Sequence, residues 1–210
     1  MSDNIRVGLI GYGYASKTFH APLIAGTLGM ELAAISSSDA SKVKADWPGV
    51  PVVSEPKHLF NDPKIDLIVI PTPNDTHFPL AKAALEAGKH VVVDKPFTVT
   101  LSQARELDAL AKSLGRVLSV FHNRRWDSDF LTLKGIFADG ALGEVTYLES
   151  HFDRYRPEIR NRWREQAGPG SGIWYDLAPH LLDQAVNLFG LPVSLTVDLA
   201  QLRPGAQATD

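Results

Sequence analysis

The sequence predicts an α/β fold: a doubly wound parallel sheet, followed by the start of a second, α+β domain. Three observations predict the first part. Short apolar runs alternate with longer amphipathic segments across residues 5–122. The apolar runs are nearly continuous Val, Ile and Leu, which is typical of parallel strands that are buried on both faces. Several strand–helix–strand repeats in succession indicate helices on both sides of the sheet.

The predicted strands and two of the helices between them have readable ends. Thr76 is expected to cap a helix that stops at Gly88. Thr100 and Gln103 have the spacing of a capping box, which predicts a second helix that ends at Gly115. The predicted strands are Ile5–Ile10, Glu31–Ser36, Ile65–Ile70, His90–Asp94 and Arg116–Phe121.

The pattern changes after Phe121, which predicts domains at residues 1–122 and 123–210. The elements expected in the second domain are a helix at 128–138, a strand at Gly143–Arg154, a helix from near Asp176 to Gly190 and a strand at Ser194–Leu202. The last strand would need partners that the remaining residues do not supply. We therefore expect an α+β domain with an open sheet that is incomplete in this chain.

Composition and charge exclude several functional classes. The chain has 210 residues, of which 44% are hydrophobic and 21% charged, as in an ordinary globular protein. Its net charge of −3 gives no general attraction to nucleic acid or to acidic membranes. It contains no cysteine, which excludes disulfides and thiolate metal sites. With no signal peptide and no membrane-spanning run, we expect a cytoplasmic protein without nucleic-acid or membrane partners.

A glycine turn follows the first strand in the sequence VGLIGYGYAS. Gly11 permits a tight turn, and Gly13 lets the backbone approach a pyrophosphate at the start of the next helix. Ser16 replaces the third glycine of the dinucleotide fingerprint and is small enough for close helix packing. The alternative is an ordinary glycine-rich connection, but the strand–turn–helix context favours a Rossmann domain. The expected cofactor contacts here are Gly11, Gly13, Tyr14 and Ala15.

The end of the second strand indicates the type of cofactor. Ser36, Ser37 and Ser38 can donate hydrogen bonds to a 2′-phosphate, and Lys42 can add charge, which favours NADP. Two alternatives stay open. Asp39 can be the acid that selects NAD, slightly displaced, or Ser38 or Asp39 can simply cap the next helix.

Ionisable and polar residues follow two further strands, where ligands bind to doubly wound sheets. In HVVVDKPF, Lys95 comes directly after an apolar strand, and Pro96 ends that strand. The alternative for Lys95 is a solvated ion pair with Asp94. The expected cofactor contacts at these strand ends are Thr72, Asn74, His77, Asp94, Lys95 and Pro96.

The segment WYDLAPHLLDQ places Asp176 and His180 four residues apart, on one helical face. Because Pro179 is tolerated best in the first turn, the helix is expected to begin near Asp176. The positive end of the helix dipole would then favour a neutral His180 that accepts a proton, whereas a nearby carboxylate acts oppositely. The alternatives are a capping Asp with an unremarkable His, or a metal site. No further ligands accompany the pair, so no metal is expected.

The segment DRYRPEIRNRWRE carries five arginines in thirteen residues. They alternate with Asp153, Glu158 and Glu165. A loop that borders the cofactor, or a salt-bridged surface, therefore fits this segment better than a nucleic-acid patch.

The segments GLIGYGYAS, VVVDKPF, FHNRRWD and YDLAPH together resemble the Gfo/Idh/MocA family of nicotinamide-dependent sugar and polyol oxidoreductases. Within it, the chain is similar to NADP-dependent scyllo-inositol dehydrogenases and to an uncharacterised enterobacterial relative. The family often has Glu where this chain has Asp94. The resemblance implies that Lys95 stabilises charge on the reacting oxygen, that His180 is the general acid/base and that Asp176 orients the polyol. It also implies that Asn123, Trp163 and Arg164 border the nicotinamide and the substrate.

These observations predict hydride transfer between the nicotinamide of NADP, with NAD as the alternative, and an alcohol carbon of a polyol or sugar. Lys95 comes from the first domain and His180 from the second, so the active site is expected between them. The resemblance implies a homo-oligomer for the full-length protein. The rival hypothesis is a non-catalytic dinucleotide sensor on the same fold, and the presence of Lys95, Asp176 and His180 together argues against it.

Overall fold

The computed structural model describes residues 4–153 and 155–209. The chain folds into two compact units, Met1–Phe121 and His122–Asp210.

The first unit contains a six-stranded parallel sheet in the order β3-β2-β1-β4-β5-β6. This strand order is that of the doubly wound fold. From β1 to β3 strands are added on one side of β1, and from β4 to β6 they are added on its other side. The predicted doubly wound, parallel α/β fold is therefore confirmed. The strands are β1 Ile5–Ile10, β2 Met30–Ser36, β3 Val52–Val53, β4 Leu67–Ile70, β5 His90–Asp94 and β6 Leu118–Phe121. The sequence missed β3, because two residues are too few to show a strand periodicity.

Apolar side chains cover both faces of this sheet. Alternate residues of one strand belong to different clusters: Val7 and Leu9 pack in one, and Ile10 in the other. Ile68 and Val69 divide in the same way. The nearly continuous apolar runs are explained by this burial on two faces.

Five α-helices and one π-helical segment connect the strands. They are the π-helix Ser16–His20, α1 Ala21–Gly26, α2 Ala40–Asp46, α3 Pro56–Phe60, α4 Asn74–Glu86 and α5 Leu101–Ser113. The expected cap at Thr76 is wrong, because α4 begins at Asn74 and Pro73 is its N-cap. Pro73 fixes its own backbone angle in an extended conformation, so the helix can start directly after it. Thr76 instead donates its hydroxyl to the Pro73 carbonyl at 2.6 Å.

The predicted capping box is present at the start of α5. The Thr100 hydroxyl accepts from the Gln103 N–H, and the Gln103 side chain accepts from the Thr100 N–H. We expect Thr100→Ala to lower the free energy of unfolding by about 1 kcal/mol, because it removes a partner from the first helical N–H groups. Ser102→Ala, an exposed change in the same turn, is the control and should change stability little. Urea unfolding measures both, and equal stabilities would contradict the role of the cap.

The second unit is helical among its described residues. It contains α6 Ser128–Ala138 and α7 Gly172–Phe189, with 3-10 helices at Asn123–Trp126 and Trp163–Glu165. The predicted helix at 128–138 is confirmed. The strands predicted at Gly143–Arg154 and Ser194–Leu202 are wrong over their described residues, and Arg154 lies outside these. A strand needs a hydrogen-bonded neighbour, and neither segment forms a ladder with described residues. None of the described helices is long and apolar enough to cross a bilayer.

The helix α7 begins four residues earlier than predicted. Ser171 is its N-cap, and Pro179 lies inside it as the eighth residue, counting Gly172 as the first. The helix tolerates this proline although it lacks one backbone N–H. The extended backbone of Ser171 ends the helix on its N-terminal side. The cooperative formation of 18 helical residues outweighs the missing N–H of Pro179. The prediction that Asp176 and His180 lie at the N-terminus of this helix is therefore wrong.

Candidate functional site

The glycine turn connects the end of β1 to the first helix. Gly11 has a φ of +81°, which only glycine adopts readily, and its N–H donates to the Ser36 carbonyl at 2.7 Å. The Ser16 hydroxyl donates back to the Gly11 carbonyl at 2.9 Å. A Cβ atom built at Gly13 would have no neighbour within 4 Å. The turn thus has a fixed shape and an open side at Gly13, as a pyrophosphate site requires.

Tyr14 and Ala15 start the helical segment after this turn. The Tyr14 side chain is exposed and contacts Phe19 edge-on, whereas Ala15 precedes the π-helix with helical backbone angles. Tyr14 therefore has surface available to a ligand. Their cofactor contacts remain predictions.

The sequence analysis missed Tyr12, which attaches the glycine turn to the end of α2. Its partly buried ring packs against the core, and its hydroxyl donates to Asp46 at 2.8 Å. Burial and this carboxylate raise the pKa of Tyr12 to about 12. Lys17 pairs with the same Asp46 carboxylate at 2.8 Å. The sequence signal for this role was an aromatic residue between the two glycines of the turn.

The three serines at the end of β2 have different surroundings. Ser36 is buried, so its hydroxyl offers little surface to a phosphate, and its expected contact is not supported. The Ser37 hydroxyl bonds to the Asp39 backbone, whereas Ser38 is exposed. Asp39 is the N-cap of α2, and hydrogen bonds from Ser41 and from the Lys42 backbone lower the pKa of its carboxyl group. Its carboxylate is engaged in the cap that the sequence left as an alternative.

Lys95 follows β5 at the carboxyl edge of the sheet. Its backbone N–H donates to the Asp94 carboxylate at 2.7 Å, and the peptide bond to Pro96 is cis. The other Asp94 oxygen lies 3.4 Å from Nε2 of His20, a buried residue that stacks on Phe121. Burial raises the pKa of Asp94, but the contacts with His20 and Lys95 outweigh it, so this pKa lies below its ordinary value. Asp94 thus acts as a negative anchor for the lysine backbone.

The segment after β4 lies beside the glycine turn. A Cβ atom at Gly11 would stand 3.4 Å from Cγ2 of Thr72, and the Thr72 hydroxyl bonds to Thr76 at 2.6 Å. Asn74 is buried at the start of α4. His77 is completely buried, and both of its ring nitrogens face backbone carbonyls. The expected direct contact of its side chain with a cofactor is therefore not supported.

In the second unit, Asp176 lines a cavity of about 330 Å³. The Arg164 guanidinium lies over the Trp163 ring at 5.0 Å and 3.7 Å from the Asp176 carboxylate. Three residues named from the sequence thus lie together. Other residues of the cavity wall are Phe152, Tyr155, Arg156, Arg162, Glu165 and Arg203.

The arginine-rich segment is salt-bridged where it borders this cavity. Glu165 pairs with Arg162 at 2.6 Å and with Arg203 at 3.3 Å. Burial raises the pKa of Glu165, and the Arg160 N–H with these two guanidinium groups more than reverses that effect. Two arginines of the segment, Arg162 and Arg164, thus have carboxylate partners within the unit.

His180 is buried one turn after Asp176, with its ring 6.5 Å from that of Phe152. It is the ninth residue of α7, counting from Gly172, so the positive charge at the helix start does not act on it directly. Its expected neutral state therefore loses the support of the helix dipole. The burial of His180 and its i, i+4 relation to Asp176 remain.

Asn123 lies in a 3-10 helix that is attached to α7. Arg125 binds Asp183 of α7 through two nitrogens, at 2.6 and 2.7 Å, and the Gln184 amide donates to the Arg124 carbonyl at 3.1 Å. Asn123 and His180 thus lie in two helices that are bonded to each other. No group of three or more His, Cys, Asp or Glu side chains that could hold a metal occurs among the described residues.

Two family profiles match the chain and identify the family to which it belongs. The profile of an oxidoreductase family with an NAD-binding Rossmann fold matches residues 5–122. The profile of the GFO/IDH/MocA C-terminal domain matches residues 130–210. The chain belongs to the Gfo/Idh/MocA oxidoreductase family. The resemblance inferred from the sequence motifs is thereby confirmed, and the first unit is an NAD(P)-binding Rossmann domain.

Two curated relatives in this family illustrate its range. The chain is 89% identical over 210 residues to the uncharacterized oxidoreductase YdgJ of Escherichia coli (strain K12), of which it covers 61%. It is 40% identical over 208 residues to the scyllo-inositol 2-dehydrogenase (NADP(+)) IolW of Bacillus subtilis (strain 168), of which it covers 58%. These alignments include 100% and 99% of this chain. The chain therefore spans about three fifths of the length of these Gfo/Idh/MocA proteins.

A solved structure of the same architecture is that of YPO2259 from Yersinia pestis. It matches with a TM-score of 0.94 and 75% sequence identity, over 100% of this chain and 59% of that one. The fold of the Gfo/Idh/MocA chain described above is thus also found in a solved relative.

Proposed function

We propose that the protein is an NADP-dependent oxidoreductase that transfers hydride between the nicotinamide and a cyclic polyol or sugar. The observation that carries the proposal is the position of Lys95 at the carboxyl end of β5, in the part of a Rossmann sheet where the nicotinamide binds. Family membership and the 40% identity to an NADP-dependent scyllo-inositol dehydrogenase support the reaction class.

Each candidate residue has a distinct task in this proposal. In the oxidation direction His180 accepts the hydroxyl proton, while the carbon gives its hydride, with both electrons, to the cofactor. The alcohol becomes a ketone, and no other reactant is consumed. The Lys95 ammonium stabilises the negative charge that develops on the oxygen. Asp176 accepts hydrogen bonds from neighbouring hydroxyls and orients the ring. The bound nicotinamide supplies the redox chemistry.

A matrix of substrates tests the proposal. Inositols, aldoses and sugar acids are each combined with NADP and NAD, and the formation of reduced cofactor is followed at its absorbance band. We expect turnover with a subset of cyclic polyols or sugars. Tight NADP binding without turnover over the whole matrix would refute an enzyme and favour a dinucleotide sensor.

The cofactor preference depends on the end of β2. Because Asp39 is engaged in the α2 cap and Ser38 is exposed, we expect NADP to be preferred over NAD. Ser38→Asp introduces a charge that repels the 2′-phosphate. It should lower kcat/KM with NADP by about 10- to 100-fold, the equivalent of one charged hydrogen bond, and change kcat/KM with NAD far less.

The control for this variant places the same charge elsewhere. Ser113→Asp lies at the last residue of α5 and should leave the ratio of the two cofactors unchanged. Equal kcat/KM values for NADP and NAD in the unmodified protein would contradict the proposed preference.

A further inference from the structure

His77 connects the segment around Lys95 with the segment around Thr72, and the proposed function requires both. It lies in the first turn of α4 and is completely buried. Its Nδ1 lies 2.8 Å from the carbonyl oxygen of Pro96, the residue after Lys95. Its Nε2 lies 2.9 Å from the carbonyl oxygen of Thr72, beside the glycine turn. One imidazole thus spans the carboxyl ends of two adjacent strands, β4 and β5.

The chemistry of these two contacts limits how the buried imidazole can form hydrogen bonds. Both partners are carbonyl oxygens, which only accept hydrogen bonds. A neutral imidazole carries one N–H, so it can donate to either Thr72 or Pro96, and it donates to both only when protonated. An apolar residue of similar size would donate to neither carbonyl, and a buried acceptor without a donor is costly. The sequence position therefore demands hydrogen bonding in addition to packing.

A second contact fixes the other side of the lysine. Asp94 accepts the Lys95 N–H and faces His20. The backbone around Lys95 is thus held from its N-terminal side through Asp94 and from its C-terminal side through Pro96. The His77 contact also reaches the Thr72 segment.

We propose that His77 is a positioning residue that fixes the Lys95 segment and the cofactor-facing Thr72 segment in one mutual geometry. It acts through the carbonyls of Pro96 and Thr72 and does not touch the substrate or the nicotinamide. This inference rests on the proposed function for the effect on turnover, but not for the effect on cofactor binding. Its two ring nitrogens serve different segments, so their effects are separable.

Three substitutions separate the two nitrogens. In His77→Asn the amide nitrogen stands where Nδ1 stood and can still donate to Pro96, and in His77→Gln it stands where Nε2 stood and can still donate to Thr72. His77→Leu keeps the volume but donates to neither. His58→Leu, an exposed histidine of α3, is the matched control.

The measurements are kcat with the best polyol, the Kd of NADPH from its fluorescence, and the melting temperature. We expect His77→Leu to lower kcat by up to about 100-fold, because a small misplacement of a catalytic group has that effect. It should also weaken NADPH binding by about tenfold. His77→Asn should recover most of kcat but not the Kd, and His77→Gln should recover the Kd but not kcat. If His77→Leu does not fold, the Asn and Gln variants still give this contrast.

Two results would overturn the inference. One is a folded His77→Leu variant with the kcat and Kd of the unmodified protein. The other is loss of kcat and Kd together, to the same extent, in the Asn and Gln variants, which indicates a role in stability alone. If the unmodified protein turns over no substrate, the proposed function fails, and His77 is tested by the Kd and by the labelling rate of Lys95 with pyridoxal phosphate and borohydride. That rate should then change in His77→Leu and His77→Gln but not in His77→Asn.

Discussion

Lys95→Ala is expected to lower kcat by about 100- to 1000-fold, the usual effect of removing one preorganised donor to a developing oxyanion. The cofactor should bind nearly as tightly as before, since the backbone of this segment is held by the contacts of Asp94 and Pro96. Stopped-flow measurement of NADPH formation gives kcat, and fluorescence titration gives the Kd. The loss should appear in the chemical step and not in binding.

Lys112→Ala is the matched control for this variant. Lys112 is an exposed lysine near the end of α5 that pairs with Asp108, so kcat and Kd should stay the same. An unchanged kcat in Lys95→Ala would remove the lysine from the reaction. It would leave the solvated ion pair with Asp94 as the correct description of this residue.

His180→Ala is expected to lower kcat by about 100- to 10,000-fold, the range for loss of a general acid/base. In the oxidation direction the unmodified protein should lose rate as the pH falls, because a protonated imidazole cannot accept the hydroxyl proton. The variant should lack this decline and recover part of its rate at high pH, where hydroxide removes the proton. The pH dependence of kcat separates this role from a structural one, which would lower the rate equally at every pH.

His151→Ala is the control in the same unit. His151 is exposed and pairs with Glu149 and Asp153, so its removal should not affect the pH profile. A pH profile of His180→Ala that parallels that of the unmodified protein would assign the proton transfer to another group.

The sequence predicted the first unit well because its signals are local. The bounds of β5 and the capping box of α5 follow from apolar runs and from residues three positions apart. The same holds for Gly11, whose positive φ is a property of a single residue. Contacts between distant residues could not be read in this way. Neither the approach of His20 to Asp94 nor the burial of His77 leaves a periodic trace in the sequence.

Predictions failed in the second unit where one rule was given too much weight. Pro179 was used to place the start of α7, but helix formation over 18 residues outweighs one missing N–H group. Two strands were predicted in this unit, although a strand-like pattern in a sequence cannot supply a pairing partner. Asp176 nevertheless lies 3.7 Å from Arg164, whose guanidinium packs over Trp163, and the roles of these three residues stay predictions.

The proposed function requires Lys95 and His180 to act on the same hydroxyl group in one step. The most direct measurement is kcat of the double variant Lys95→Ala/His180→Ala beside the two single variants. We expect strong non-additivity: the double variant should be little slower than the slower single variant, because groups that act as a unit are lost together. Losses that multiply, so that the double variant falls by the product of the two single effects, would show two independent contributions and would contradict a joint action on one hydroxyl group.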